Sequence, residues 1–404
     1  MPAITERRGI RSNSAENDTA SVRAGLARTQ GDIVIPMETG TPAPTAAPTA
    51  ASTPASTTTA TSRSRPWIAK KRHAIPLALL AFGLATVLVA MISPWPSALL
   101  IRALFEEEAR KTVAELERYS PTEGIDETLN VAYATGGPGA GSSDTTLDVF
   151  SPSDSSGPLP TVVWIHGGAW ISGSKENVNP YTRILASKGF TAVTLNYTVA
   201  PEATYPVALN QLNTALGYLI DNAEQLRIDP SRIVIAGDSA GSQYTSQLAT
   251  AITSPVYAEK VGLIPAITPD QLKAVVLTCG IYDVSGIPDA PGLGGWGFRT
   301  ALWAYLGTKA WSDTPGGELM STLDDVTPDF PTAWITGGNG DPLTATQSRP
   351  FAAKLTSLGV DVTTVFYPDD HVPSLPHEYQ FKLDLEDAQT ALDSMAQFLE
   401  TVTR

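Results

Sequence analysis

The chain has 404 residues, a formal net charge of −14 and one cysteine. Its acidic residues are dispersed and no Lys/Arg stripe accompanies them, which argues against nucleic acid as a partner. The single cysteine, Cys279, excludes an intrachain disulfide framework, and its apolar neighbours indicate a buried thiol.

Residues 1–65 differ in composition from the rest of the chain. Ala, Thr, Ser and Pro dominate them, and residues 41–62 contain no aromatic side chain. Such a segment has too little apolar surface to offset the conformational entropy lost on folding. We therefore predict a disordered tail over residues 1–65.

A membrane anchor is predicted over residues 74–94. No charged residue occurs from 74 to 101, and the densest apolar run, 75–92, is close to the ~20 residues that a spanning helix needs. Lys70, Lys71 and Arg72 precede it, so the positive-inside rule places the tail in the cytoplasm and the globular part outside. A cleaved signal peptide and a buried core helix are the alternative interpretations.

Residues 97–120 have the spacing of an amphipathic linker helix. Leu99, Leu100 and Leu104 are followed by Val113 and Leu116 on a helical period. This helix is expected to lie either on the membrane or against the globular domain, and the sequence does not choose between the two.

From residue 125 to 404 the chain alternates short apolar runs with helical patterns. This order predicts an α/β domain with a mostly parallel, doubly wound sheet and helices on both faces. Helices are expected over 207–222, 240–253, 349–358 and 383–402, and strands over 161–165, 190–197, 232–237, 273–279, 332–336 and 360–367, after an opening hairpin at 129–133 and 146–150. Ligands of such folds bind beyond the carboxyl ends of the strands.

The strongest local motif is G-x-S-x-G between a predicted strand and a predicted helix. It reads Gly237-Asp238-Ser239-Ala240-Gly241. In this context the serine lies on a sharp turn above the sheet, and the following helix directs N–H groups toward a developing oxyanion. Ser239 is therefore the predicted nucleophile.

A second motif, HGGAW, begins at His166 after the strand predicted at 161–165. Small residues there allow backbone amides to approach a substrate carbonyl. The expected oxyanion-hole donors are the amides of Gly168 and Ala169, joined by Ala240. His166 precedes the serine and is expected to brace the loop, because the triad of this arrangement runs Ser, acid, His along the chain.

Together, HGGAW, GDSAG and NYTVAPEATYP (196–206) resemble the hormone-sensitive-lipase-like branch of the α/β-hydrolase fold. The resemblance covers residues 130–400. Ala169 replaces the usual third glycine and Thr198 the usual arginine. The resemblance implies hydrolysis of small-molecule carboxylic esters through a Ser-His-Asp triad and an acyl-enzyme, with no metal and no cofactor.

The same resemblance implies the acid and the base. The family carries its acid in a D-P-L loop after the next-to-last strand, and Asp341 begins such a loop here. Two histidines follow the last predicted strand, His371 and His377. The sequence after His377 is similar to the family's histidine-then-helix arrangement, so His377 is the expected base and His371 the alternative.

A small cap insertion is expected at about 284–328. It concentrates aromatic side chains, which either form a lid over the acyl pocket or pack the insertion onto the core: Trp296, Phe298, Trp303, Tyr305 and Trp311. Other functions that fit the same motifs are an acyltransferase, a peptidase, or an inactive surface-displayed binding protein.

Overall fold

The computed structural model describes residues 67–134, 136, 143–287 and 292–404. The tail predicted over residues 1–65 lies outside these ranges, as do residues 288–291 of the predicted cap insertion.

The described residues form one eight-stranded sheet with the order β1-β2-β4-β3-β5-β6-β7-β8. β2 runs antiparallel to β1 and β4, and every other neighbouring pair is parallel. The strands are β1 (Ile125–Ala132), β2 (Thr146–Pro152), β3 (Leu159–Ile165), β4 (Thr191–Leu195), β5 (Ile228–Asp238), β6 (Leu272–Thr278), β7 (Thr332–Gly337) and β8 (Val362–Phe366). The predicted opening hairpin and mainly parallel sheet are confirmed.

Ten α-helices lie within the described residues. They are α1 (Trp67–Ile92), α2 (Trp95–Leu116), α3 (Asn179–Ser187), α4 (Val207–Asp221), α5 (Ala240–Thr253), α6 (Pro255–Val261), α7 (Gly292–Leu306), α8 (Pro315–Met320), α9 (Arg349–Ser357) and α10 (Glu386–Val402). The sequence patterns predicted no helix at α3 or α6, which are short, and none at α7 or α8, which lie in the predicted cap insertion.

The sheet has a hydrophobic core on each face. Successive side chains of a strand point to opposite faces, so Val163 and Ile165 of β3 pack in one core while Val162 and Trp164 pack in the other. Strands buried on both faces lack a polar alternation, which explains the continuous apolar runs in the sequence. This buried sheet is the rigid support for the loops at its carboxyl edge.

Helix α2 begins two residues earlier than predicted, at Trp95, and ends at Leu116. Pro96 lies in its first turn, where the missing N–H costs nothing. Ala98 and Ile101 of α2 are buried in the core of the globular part. No helix among the described residues is by itself long and apolar enough to cross a membrane, whereas Ala78–Ile92 and Trp95–Leu116, at 90° to each other, satisfy that requirement together by length and composition.

The cap insertion contains α7 and α8, and its aromatic residues divide between the two expected roles. Tyr305 is buried and stacks on Trp170, with ring centroids 5.8 Å apart. Trp296 and Trp311 pack partly buried against the core. Phe298 lines the pocket above the sheet. Most of this aromatic surface therefore holds the insertion in place, and one side chain reaches the pocket.

Candidate active site

Ser239 occupies the sharp turn between β5 and α5. Its backbone has φ 50° and ψ −116°, a conformation that costs a non-glycine residue on the order of 1–3 kcal/mol and persists only when the surroundings enforce it. The amide of Ser239 donates to the carbonyl of Thr278 on the neighbouring strand at 2.9 Å. The sheet thus fixes the position of this serine.

Close packing explains the glycines of the motif. A Cβ added to Gly241 would lie 2.0 Å from the carbonyl oxygen of Ile165. A Cβ added to Gly237 would lie 2.5 Å from the carbonyl carbon of Gly241. The spacing of the motif therefore allows α5 to begin directly against β3 and β5.

Ser239, His377 and Asp341 form a continuous chain of hydrogen bonds. Nε2 of His377 lies 3.0 Å from Oγ of Ser239, and Nδ1 lies 2.7 Å from Oδ2 of Asp341. Asp341 follows β7 and is 4% exposed, and its other carboxyl oxygen accepts from the amide of Leu343 at 3.0 Å. The three side chains come from loops at the same edge of the sheet.

The surroundings of His377 favour its protonated form. Burial lowers the pKa of His377, but the hydrogen bond to Asp341 and the proximity of Cys279 and Glu378 outweigh it, so the pKa stands well above the usual value for histidine. An imidazole held in this way is a strong proton acceptor for a serine hydroxyl.

His371 lies in a different environment. Its Nε2 is 3.0 Å from Oδ2 of Asp387 on α10, and its ring packs against Tyr367. Among the described residues, His371 has no contact with Ser239. Of the two histidines that the sequence offered, the structure brings only His377 to the serine.

The loop after β3 places two free amides beside the serine. Gly168 and Ala169 adopt φ values of 109° and 51°, and both line the same pocket as Ser239. Their N–H groups have no acceptor in the part of the chain that the structure describes. Ala240 is the first residue of α5 and directly follows the serine. The three predicted donors are thus grouped around Ser239.

His166 is a buried structural residue of this loop. It is 1% exposed, stacks on Tyr197 with centroids 4.3 Å apart, and its Nδ1 lies 2.8 Å from the carbonyl of Gly167. Burial lowers the pKa of His166 to about 4, so the ring is neutral at physiological pH. This agrees with a bracing role.

Two carboxyl groups at the site were not found from the sequence. Asp238 accepts from the amide of Gly167 and from the indole of Trp164, both at 2.7 Å. Glu378 has φ 57° and its carboxyl lines the pocket. The only sequence signal was their position, one residue before Ser239 and one residue after His377.

Cys279, Asp341 and His377 offer ligand atoms within 4.8 Å of one another, the spacing of a small metal site. However, both ring nitrogens of His377 are already hydrogen-bonded, one of them to the serine. This donor set is better suited to proton transfer than to holding a metal ion.

A pocket of about 410 Å³ opens above Ser239. Its apolar walls come from four separate parts of the chain, namely α2, the cap insertion, the loop after β7 and the segment after His377. They include Phe105, Ala109, Phe298, Leu343 and Phe381. This volume and lining are typical of a small-molecule site.

Comparison with protein families gives a match to the BD-FAE family model over residues 147–355, about half of the chain. Esterase LipQ of Mycobacterium tuberculosis is 24% identical over 68% of this chain, and the match spans 62% of LipQ, less than two thirds of its length. Carboxylesterase NlhH of the same organism is 30% identical over 59% of this chain and 72% of NlhH.

Solved structures show the same architecture. Esterase B from Lactobacillus rhamnosis superposes with a TM-score of 0.64 at 21% identity, covering 76% of this chain and 96% of that protein. An esterase from Pyrobaculum calidifontis gives 0.59 at 22% identity, covering 75% and 92%. The fold is thus that of α/β-hydrolases, as the motifs predicted.

Proposed function

This chain belongs to the BD-FAE family of the α/β-hydrolase fold, and we propose that it hydrolyses small-molecule carboxylic esters with Ser239 as nucleophile. One observation carries the proposal, the hydrogen-bonded series from Ser239 through His377 to Asp341 at the floor of an apolar pocket. The names of LipQ and NlhH, an esterase and a carboxylesterase, support the same reaction class.

The mechanism follows from the positions of these groups. His377 takes the hydroxyl proton as Oγ of Ser239 attacks the ester carbonyl, and Asp341 orients the imidazole and stabilises its protonated form. The amides of Gly168, Ala169 and Ala240 stabilise the negative oxygen of the tetrahedral intermediate. The imidazolium then protonates the departing alcohol.

Deacylation repeats the sequence with water. His377 deprotonates a water molecule that attacks the acyl-enzyme, and the carboxylic acid leaves as the proton returns to Ser239. No step calls for a metal or a cofactor.

The test is hydrolysis of p-nitrophenyl esters, from acetate to laurate, by the full-length protein. Ser239→Ala and His377→Ala should each lower kcat by on the order of 10⁴-fold or more. His371→Ala is the matched control and should retain full activity, because His371 pairs with Asp387 away from the serine. A fluorophosphonate probe should label the wild type and not Ser239→Ala.

The outcomes separate the alternatives. Loss of activity only in His371→Ala would reassign the base. Labelling of Ser239 without turnover of any ester would favour an acyltransferase, and absence of labelling in a folded protein would favour a binding role.

We also propose that α1 anchors the enzyme as a single-pass helix in the cell membrane, with the catalytic domain outside the cytoplasm. The uncharged stretch 74–101 and its preceding basic residues support this proposal. Carbonate extraction of membranes from expressing cells, followed by protease treatment of intact cells, tests it. Extraction of the protein at alkaline pH would exclude the anchor.

A further inference from the structure

Helix α2 has two faces in different surroundings. On the inner face Ala98 and Ile101 are buried in the core, and one turn further Phe105 lines the active-site pocket. On the outer face Leu100 and Leu104 are 57% and 62% exposed. Helix α2 therefore forms one wall of the pocket and at the same time exposes an apolar surface to the outside.

Helix α1 extends this apolar surface. Its exposed side chains include large apolar ones on every side of the helix, among them Leu84, Val87, Leu88, Met91 and Ile92. The end of α1 is fixed to the cap, since Nζ of Lys309 donates to the carbonyl of Met91 at 2.6 Å. Contiguous apolar surface of this kind marks an interaction site, because soluble proteins rarely leave it open to water.

We propose that the outer face of α2, from Trp95 to Phe105, rests on the bilayer that holds α1, and that the pocket takes a neutral long-chain carboxylic ester directly from that bilayer. The inference rests on the ester hydrolysis and the anchor proposed above, and it adds the substrate class and the route of access.

The angle between the two helices supports this arrangement. α1 and α2 meet at 90°, so an α1 that stands across the bilayer places α2 along its surface. The outer face of α2 is apolar only in its first half. Beyond Phe105 it carries exposed charged residues such as Glu107, Arg110 and Lys111, which belong among headgroups and water.

Phe105 connects the lipid-facing surface with the pocket. It is 42% exposed and also lines the cavity, so it belongs to both. Phe298 and Phe381 line the same cavity, together with Ser239. An acyl chain leaving the bilayer along Phe105 would thus exchange one apolar environment for another, without a costly exposure to water.

The charge of the pocket disfavours an anionic substrate. Glu106, Glu108 and Glu378 are among its lining residues, and none of the described lining residues is Lys or Arg. An ester carrying a phosphate or free carboxylate near the scissile bond would meet like charge. The same carboxylates would favour departure of the fatty-acid anion after hydrolysis.

The experiment compares a lipid-borne with a water-soluble ester. The full-length protein is reconstituted in vesicles of ether-linked phosphatidylcholine, which carries no carboxylic ester, and the vesicles contain dioleoylglycerol. p-Nitrophenyl butyrate in the aqueous phase is the reference substrate. The variant Leu100→Gln/Leu104→Gln alters only exposed side chains, and Val256→Gln/Ile264→Gln is its matched control, since Val256 and Ile264 are 79% and 89% exposed elsewhere on the domain.

The α2 variant should hydrolyse dioleoylglycerol at least about tenfold more slowly and butyrate within about twofold of the wild type, because only contact with the bilayer is weakened. The control variant should match the wild type on both esters. An undiminished dioleoylglycerol rate in the α2 variant would overturn the proposal. Absence of butyrate hydrolysis in the wild type would instead remove the ester-hydrolase function on which it rests.

A spectroscopic measurement locates α2 independently of activity. Cys279 is fully buried, so a thiol-reactive, polarity-sensitive fluorophore will react selectively with Leu104→Cys. In vesicles, the emission of the label on Leu104→Cys should be shifted to the blue relative to the same fluorophore in water. The same label on Ile264→Cys should show the emission of an aqueous environment. Aqueous emission from the label at residue 104 would contradict the proposed contact.

Discussion

Glu378 places its carboxyl beside that of Asp238, and both carboxyl groups lie against Gly167. A Cβ built on Gly167 would come within 2.4 Å of Oδ2 of Asp238 and 3.0 Å of Oε1 of Glu378. The pair connects the loop that carries His377 with the loop that carries the proposed oxyanion-hole amides. Burial, followed by the proximity of Glu378, raises the pKa of Asp238 well above its usual value.

This pair predicts a loss of stability as the pH rises above the ordinary pKa range of an aspartic acid. A carboxyl whose pKa is higher in the folded than in the unfolded state stabilises the fold at low pH, and this contribution is lost as the pH rises through the folded-state pKa. Glu378→Gln removes the neighbouring charge and so lowers the pKa of Asp238. As the pH rises above the ordinary pKa of an aspartic acid, about 3.9, the Tm of the variant should therefore fall less than that of the wild type.

Thermal unfolding followed by circular dichroism at several pH values measures this difference. Glu259→Gln, an exposed change on α6, is the control and should leave the slope of Tm against pH unchanged. Equal slopes for Glu378→Gln and the wild type would show that the two carboxyl groups are not coupled.

Asp341→Asn should affect both the rate and its pH dependence. His377 must be neutral to accept the serine proton, so activity rises as the pH increases through the pKa of His377. Asp341 helps to raise that pKa, and its removal should move the acidic limb of the profile to lower pH. The introduced asparagine would also hold the imidazole of His377 in the wrong tautomer, so Asp341→Asn should lower kcat by on the order of 10⁴-fold.

The measurement is the pH profile of kcat/KM with p-nitrophenyl butyrate. Asp387→Asn, which removes the partner of His371, should leave the acidic limb in place. An unshifted limb in Asp341→Asn would mean that another group sets the protonation of His377.

Arg102 fixes α2 over the pocket. Its guanidinium donates to both carboxyl oxygens of Glu202 and, at 2.6 and 2.8 Å, to the carbonyls of Ile171 and Ala200. Arg102→Met should raise KM about threefold or more with less effect on kcat, because the wall carrying Phe105 is loosened while the triad is untouched.

Steady-state kinetics with p-nitrophenyl esters separate the two constants. Arg110→Met is the comparison, because Arg110 pairs with Glu107 on the exposed side of the same helix. If the two variants had the same KM, attachment of α2 through Arg102 would not shape the pocket.

Gly241→Ala should destabilise the protein severely. The new methyl group would lie 2.0 Å from the carbonyl oxygen of Ile165, a contact between backbone segments that cannot relax by rotation of a side chain. We expect the free energy of unfolding to fall by about 3 kcal/mol or more. Gly157→Ala, with no atom within 4 Å of the added Cβ, should stay within about 0.5 kcal/mol of the wild type.

Urea unfolding of both variants tests this prediction. A wild-type midpoint for Gly241→Ala would show that α5 can move away from β3. Activity then becomes the second readout, because any such movement displaces Ser239.

The sequence by itself determined the fold class and the two glycine-rich loops. Continuous apolar strands and helical periods are local patterns, and the G-x-S-x-G turn is encoded within a few residues of Ser239. The short helices α3 and α6 escaped prediction because pieces of that length carry little periodicity.

Only the tertiary structure decided which side chains meet. His371 and His377 both follow the last strand, and chain order alone cannot show that one is hydrogen-bonded to Asp387 and the other to Ser239. The contact of Glu378 with Asp238 and the passage of α2 across the pocket likewise join residues far apart in the chain. Such contacts depend on how loops and helices pack on the finished sheet, which no local pattern encodes.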